Sequence, residues 1–119
     1  MAYAVAGTII EECNGRSRFL VMDDEALFFN VPVQDELTNM GSLLEGFKQA
    51  GIEISKLELI ELVTVKVDDK RMPMYVFLTR EKLSIPTTAR LISPDVFRNH
   101  LNDVLMTDIP TFLDVYDED

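Results

Sequence analysis

A carboxylate, an ammonium and an amide stand within one helical turn at Glu45, Lys48 and Gln49. Positions i, i+3 and i+4 share one face of a helix. Three acids in that arrangement would hold Mg²⁺ or Mn²⁺, which take hard oxygen ligands, neutralise phosphate oxygens and activate water. Here only Glu45 is an acid. An exposed pair between Glu45 and Lys48 would contribute only about 0.2–0.5 kcal/mol, and a fixed cation beside a single carboxylate makes a poor Mg²⁺ site. Asp35 and Glu36 precede this helix, and Glu58, Glu61, Asp68 and Asp69 follow it. The last four either supply metal ligands to a displaced site or line a solvated face and a turn. Both accounts stay open at this point.

Other candidates are thinner. Lys70-Arg71 and Arg80 with Lys82 would lie on opposite arms of one hairpin, where they either flank an anion or are solvated charges. His100 falls on the polar side of its helix between Asn99 and Asn102, without a partner in the sequence. Cys13 adjoins the Asn14-Gly15 turn and has no candidate base, so an activated thiol is not expected. No P-loop or glycine-rich dinucleotide motif occurs.

The elements that must position these groups are legible from periodicity. Tyr3 to Ile10 suits a strand, Asn14-Gly15 is a hairpin turn, and RFLVM from Arg18 pairs back. Asp23, Asp24 and Glu25 form a loop before the extended segment LFFNVPV, where Pro32 argues against a central strand. Met40, Leu43, Leu44 and Phe47 then repeat at i, i+3, i+4 and i+7, one apolar helical stripe. Thr38, Gly41, Ser42, Glu45, Lys48 and Gln49 take the other face, and Gly51 sits where a left-handed residue ends a helix. Gly41 and Gly46 each cost about 1 kcal/mol relative to Ala, so the helix depends on packing.

Leu57 to Val67 reads as a half-buried strand, Asp68 to Pro73 as a connection, and Met74 onward as its hairpin partner. Ala89 to Ile92 is extended, and Ser93-Pro94 caps a second helix with Phe97, Leu101, Val104 and Leu105 on its buried face. Pro110 opens a last short helix before an acidic tail at about 114–119.

The 119 residues suit one domain, and 47% apolar content favours a packed core. No apolar run reaches the roughly 20 residues of a membrane helix, and no secretory signal pattern opens the chain. With one cysteine, a cytoplasmic location is the expectation. Twenty-one acids against 11 bases give a net charge of −10 and a pI near 4.4. That surface repels a duplex and disfavours generic nucleic-acid binding. A small nucleotide stays open, because a metal or a local basic patch would offset the repulsion.

The stretch from Asn30 to Ile52 resembles the Nudix box, G-x5-E-x7-R-E-U-x-E-E-x-G-U, in which U is aliphatic. Glu36, Glu45, Gly51 and Ile52 match it. Asn30 replaces the first Gly, Leu44 the Arg, Gly46 the aliphatic residue, and Lys48 and Gln49 the paired acids. An opening hairpin, a long second hairpin and a closing strand with a capped helix extend the resemblance over roughly residues 3–106.

The resemblance implies an α+β fold, a Nudix-like α/β/α sandwich with a mixed β-sheet packed between helices. In that family the enzyme hydrolyses a diphosphate linked to another group, using Mg²⁺ or Mn²⁺. Three readings follow. One is a Nudix-like chain without hydrolase activity and without a cofactor. It would bind a small nucleotide-like ligand or a protein, with Lys48, Gln49 and Arg80 as candidate binding groups. A second is a Mg²⁺- or Mn²⁺-dependent hydrolase with relocated ligands, in which Glu45 and Glu36 would be catalytic. The third is an assembly role as a homodimer, using Phe28, Phe29 and Met72 as exposed apolar contacts.

Overall fold

A computed structural model describes residues 4–23, 28–67 and 70–103. The expectations for Asp24, Glu25, Asp68, Asp69, Val104, Leu105, Pro110 and the acidic tail lie outside the described residues.

Strand β1 (Ala4–Cys13) turns through Asn14-Gly15 into β2 (Arg16–Met22). Both turn residues have positive φ, 55° and 76°, which is the backbone that joins two antiparallel strands without splaying them. The two-residue turn sets the register, with Cys13 opposite Arg16 and Glu11 opposite Arg18. Strand β3 (Phe29–Pro32) pairs only with the start of β1, from Ala4–Pro32 to Gly7–Phe29. Pro32 therefore ends a four-residue edge strand, where a missing N–H costs no central ladder bond.

Helix α1 (Asn39–Gln49) follows, then β4 (Glu58–Val67), β5 (Lys70–Thr79), β6 (Ala89–Ile92) and α2 (Pro94–Asn102). The main sheet runs β4-β5-β1-β2-β6, with β1 and β5 parallel and the other neighbours antiparallel. Lys70 to Pro73 were expected as a connection, but they belong to β5. Val67 pairs with Lys70 and Thr64 with Pro73. Pairing to β1 begins one residue later, at Met74, so Pro73 occupies a one-sided stretch.

Alternation along β1 sends its side chains into two cores. Val5 and Ile9 join Leu43, Phe47, Ile52 and Phe77 under α1. Ala6 and Ile10 join Phe19, Met74, Val76, Phe97 and Leu101 under α2. The helices thus lie on opposite faces, an α/β/α arrangement. Phe97 stacks on Phe19 at 4.3 Å between ring centroids, and Phe47 stacks on Phe29 at 4.7 Å.

Those packings correct the apolar surface expected for assembly. Phe28, Phe29 and Met72 are 2%, 7% and 3% exposed and belong to the two cores. Leu59 and Leu62 on β4 are exposed instead, at 43% and 53%. In the described residues no helix is long and apolar enough to cross a membrane.

Candidate functional site around helix α1

The helix is fixed at both ends by its own sequence. Thr38 caps it, its hydroxyl accepting from the Gly41 amide at 2.9 Å. The Ser42 hydroxyl accepts from the Gln34 amide at 2.9 Å and ties the entry loop to the helix. Periodicity had put Ser42 on the outer face, yet it is buried. The loop folds back over it and requires an acceptor there. At the other end Gly51 takes φ +88°, Gly51 donates to the Lys48 carbonyl, and Ile52 donates to the Phe47 carbonyl. This double closure, with Ile52 and Phe47 in one cluster, is a Schellman end.

Two glycines let α1 approach the sheet. A Cβ on Gly7 of β1 would lie 2.6 Å from Leu43 Cδ2, and one on Gly46 would lie 2.7 Å from Val31 Cγ1. Leu44 packs half-buried against the same core. Packing thus accounts for Leu44 and Gly46, two of the positions where the box pattern is broken.

The outward face holds the expected polar groups in a different pairing. Glu45 Oε1 accepts from Gln49 Nε2 at 3.4 Å. The expected Glu45–Lys48 pair does not form, and Lys48 makes no ion pair with a described residue. Instead Lys48 borders a depression of about 510 Å³ with Gly51, Ile52, Glu53, Ile54 and Ser84. The Ser55 amide donates to Glu53 at 3.1 Å and holds that carboxyl below its ordinary range. Glu36 is exposed in the turn before the helix, closed by Leu37 N–H to the Gln34 carbonyl.

The remaining candidates are scattered. Arg80 follows β5 and approaches Glu12 at 3.6 Å. Lys70-Arg71 stands at the opposite end of the same strand, about 30 Å away at roughly 3.3 Å per residue. The two basic pairs therefore do not flank one anion. Glu58 is exposed and Glu61 half-buried on β4, on either side of a register shift. His100 is half-buried in the last turn of α2, and the Cys13 thiol donates to the Arg80 carbonyl at 3.5 Å.

Sequence reasoning missed Glu11. Its carboxylate is buried at the outer end of β1, where Arg18 donates twice to Oε1, from Nη2 at 2.6 Å and Nε at 3.1 Å. Oε2 accepts from the Leu83 amide at 2.7 Å. The signal was present in the two-residue turn, which places an acid directly opposite an arginine.

One carboxylate beside an amide and an ammonium does not make the oxygen set that Mg²⁺ or Mn²⁺ takes. Among the described residues, no three of His, Cys, Asp and Glu gather into a group that would hold a metal ion.

No protein-family model matches the chain, and no curated protein sequence does. Solved structures do. Ap4A hydrolase from C. elegans superposes with a TM-score of 0.62 at 12% identity, over 84% of this chain and 85% of that one. RenU, a Nudix hydrolase from M. smegmatis, gives 0.56 at 11% identity, over 87% and 77%. The C-terminal domain of mouse MUTYH, solved in complex with human PCNA, gives 0.50 at 13% identity, over 98% and 86%. Likeness at such identity establishes the fold alone. The fold is Nudix-like.

Proposed function

We propose that this Nudix-fold chain carries no hydrolase activity and serves as a ligand-binding or protein-interaction module. The outward face of α1 carries the proposal. Glu45 is its one acid among the three matching positions, its carboxylate is engaged by Gln49, and Lys48 adds a positive charge. A cofactor is not part of this reading, which fits a cytoplasmic protein with a small anionic ligand or a protein partner. The MUTYH domain supports the interaction arm, since a similar fold was captured against another protein.

The hydrolase reading draws on the two hydrolase structures and would need Mg²⁺ or Mn²⁺ held by Glu45 with Glu36, Glu58 or Glu61. The two readings separate in one assay. Purified protein is expected to show no Mg²⁺- or Mn²⁺-dependent turnover of nucleoside diphosphate derivatives. Turnover abolished by Glu45→Gln would overturn the proposal. The assembly reading now rests on Leu59 and Leu62 of the edge strand β4. Sedimentation would show it as a dimer weakened by Leu62→Lys.

A further inference from the structure

The outer end of the β1–β2 hairpin concentrates positive charge in a chain of net charge −10. Cross-strand partners point to the same face of a sheet. Glu11 and Cys13 therefore share a face with Arg18 and Arg16, the face that also carries Val5, Ile9 and α1. Beyond the helix, the chain after β5 passes this face and delivers Lys82 and Leu83. The result is a pocket of about 370 Å³ lined by Glu11, Cys13, Asn14, Arg16, Arg18 and Lys82.

Its charges do not cancel. Three cations face one carboxylate, and that carboxylate is already held by Arg18 and the Leu83 amide. Arg16 and Lys82 form no ion pair with a described residue. Of the neighbouring acids, Glu12 is engaged by Arg80 at 3.6 Å and Glu81 by Lys56 at 3.7 Å. Asp95 borders an adjoining depression with Arg16 and Arg18 but forms no ion pair with either. Glu11 also fixes the Arg18 guanidinium, whose side chain is 47% exposed. A positioned guanidinium fork suits oxyanions, because it donates in the plane that phosphate oxygens accept.

We infer that this pocket binds a small dianionic group, a terminal phosphate, between Arg16, Arg18 and Lys82. Two uncompensated cations call for about two negative charges, which a phosphate monoester carries at neutral pH. A monocarboxylate would balance only one. The acidic remainder of the surface excludes extended polyanions while leaving a small anion free to enter. This site deepens the ligand-binding reading by naming a ligand class, and it moves the ligand away from α1.

Amide NMR titration tests it, with inorganic phosphate, pyrophosphate and succinate as separate probes at fixed ionic strength. Saturable shifts confined to Cys13–Arg18 and Lys82–Leu83 are expected for phosphate and pyrophosphate, with succinate weaker. Arg16→Ala with Lys82→Ala is expected to weaken binding about tenfold, a modest loss because both side chains are exposed. Lys70→Ala, removing an exposed cation at the far end of β5, is expected to leave affinity unchanged. Unchanged spectra elsewhere show that the double variant is folded. Absent saturation, binding retained in the double variant, or succinate binding as tightly as phosphate would each overturn the assignment. Glu45-dependent turnover would instead defeat the non-hydrolytic reading and leave this site standing.

Discussion

Helix α1 and the outer end of the β1–β2 hairpin make opposite uses of their sequence. On α1 a recognisable spacing survives, yet what it enforces is packing. Leu43 and Phe47 are fully buried, Gly46 admits Val31, and Gly51 closes the helix. Its polar face carries one weakly engaged acid. The hairpin end matches no motif, yet it holds a buried carboxylate with three donors and a cation-lined pocket. A motif's frame can thus persist for mechanical reasons, while the strongest polar arrangement arises from strand register.

The contrast can be broken most forcefully at Phe47. Truncation by Phe47→Ala is expected to lower unfolding free energy by about 3–5 kcal/mol in a denaturant titration. Glu45→Ala, Lys48→Ala and Gln49→Ala on the outer face should each stay within about 0.5 kcal/mol. Comparable losses on both faces would mean that the outer face has a structural role. At the hairpin, Glu11→Ala strands the Leu83 amide, with an expected cost of about 1–3 kcal/mol. The exposure of Arg18 keeps it below the 3–5 kcal/mol typical of a fully buried pair. A neutral result there would reduce the Glu11 contacts to surface chemistry.

Ser42→Ala should cost about 1 kcal/mol through the lost Gln34 contact, and amide exchange at Gln34 would report it. The smallest effect is at Glu53. Its carboxyl is held below the ordinary range by the Ser55 amide. Its contribution is therefore present above the unfolded carboxylate range and is lost as pH falls through the lowered folded value. The Ser55 amide shift should titrate in that acidic window, and Glu53→Gln should remove the titration.

Much of the fold was legible because local signals agreed with one another. The Asn14-Gly15 turn, the stripe from Met40 to Phe47, the Gly51 stop and the Ser93-Pro94 cap all occur as read. What failed depended on tertiary context. Ser42 looked external because helical periodicity cannot foresee a loop folding back over the helix. Lys70 to Pro73 read as a connection because polar residues and a proline are tolerated where β5 has one neighbour. Phe28, Phe29 and Met72 were assigned to the surface, while α1, α2 and the sheet enclose them. At the site, spacing placed Glu45, Lys48 and Gln49 on one face. It did not foresee that Gln49 rather than Lys48 would engage the acid.

The most direct test of the account is Mn²⁺ titration followed by paramagnetic broadening of the α1 amides. For the wild-type chain no saturable broadening is expected around Glu45. Lys48→Glu combined with Gln49→Glu, which completes three acids on that face, should create it. Saturable broadening centred on Glu45 in the unaltered protein would contradict the account.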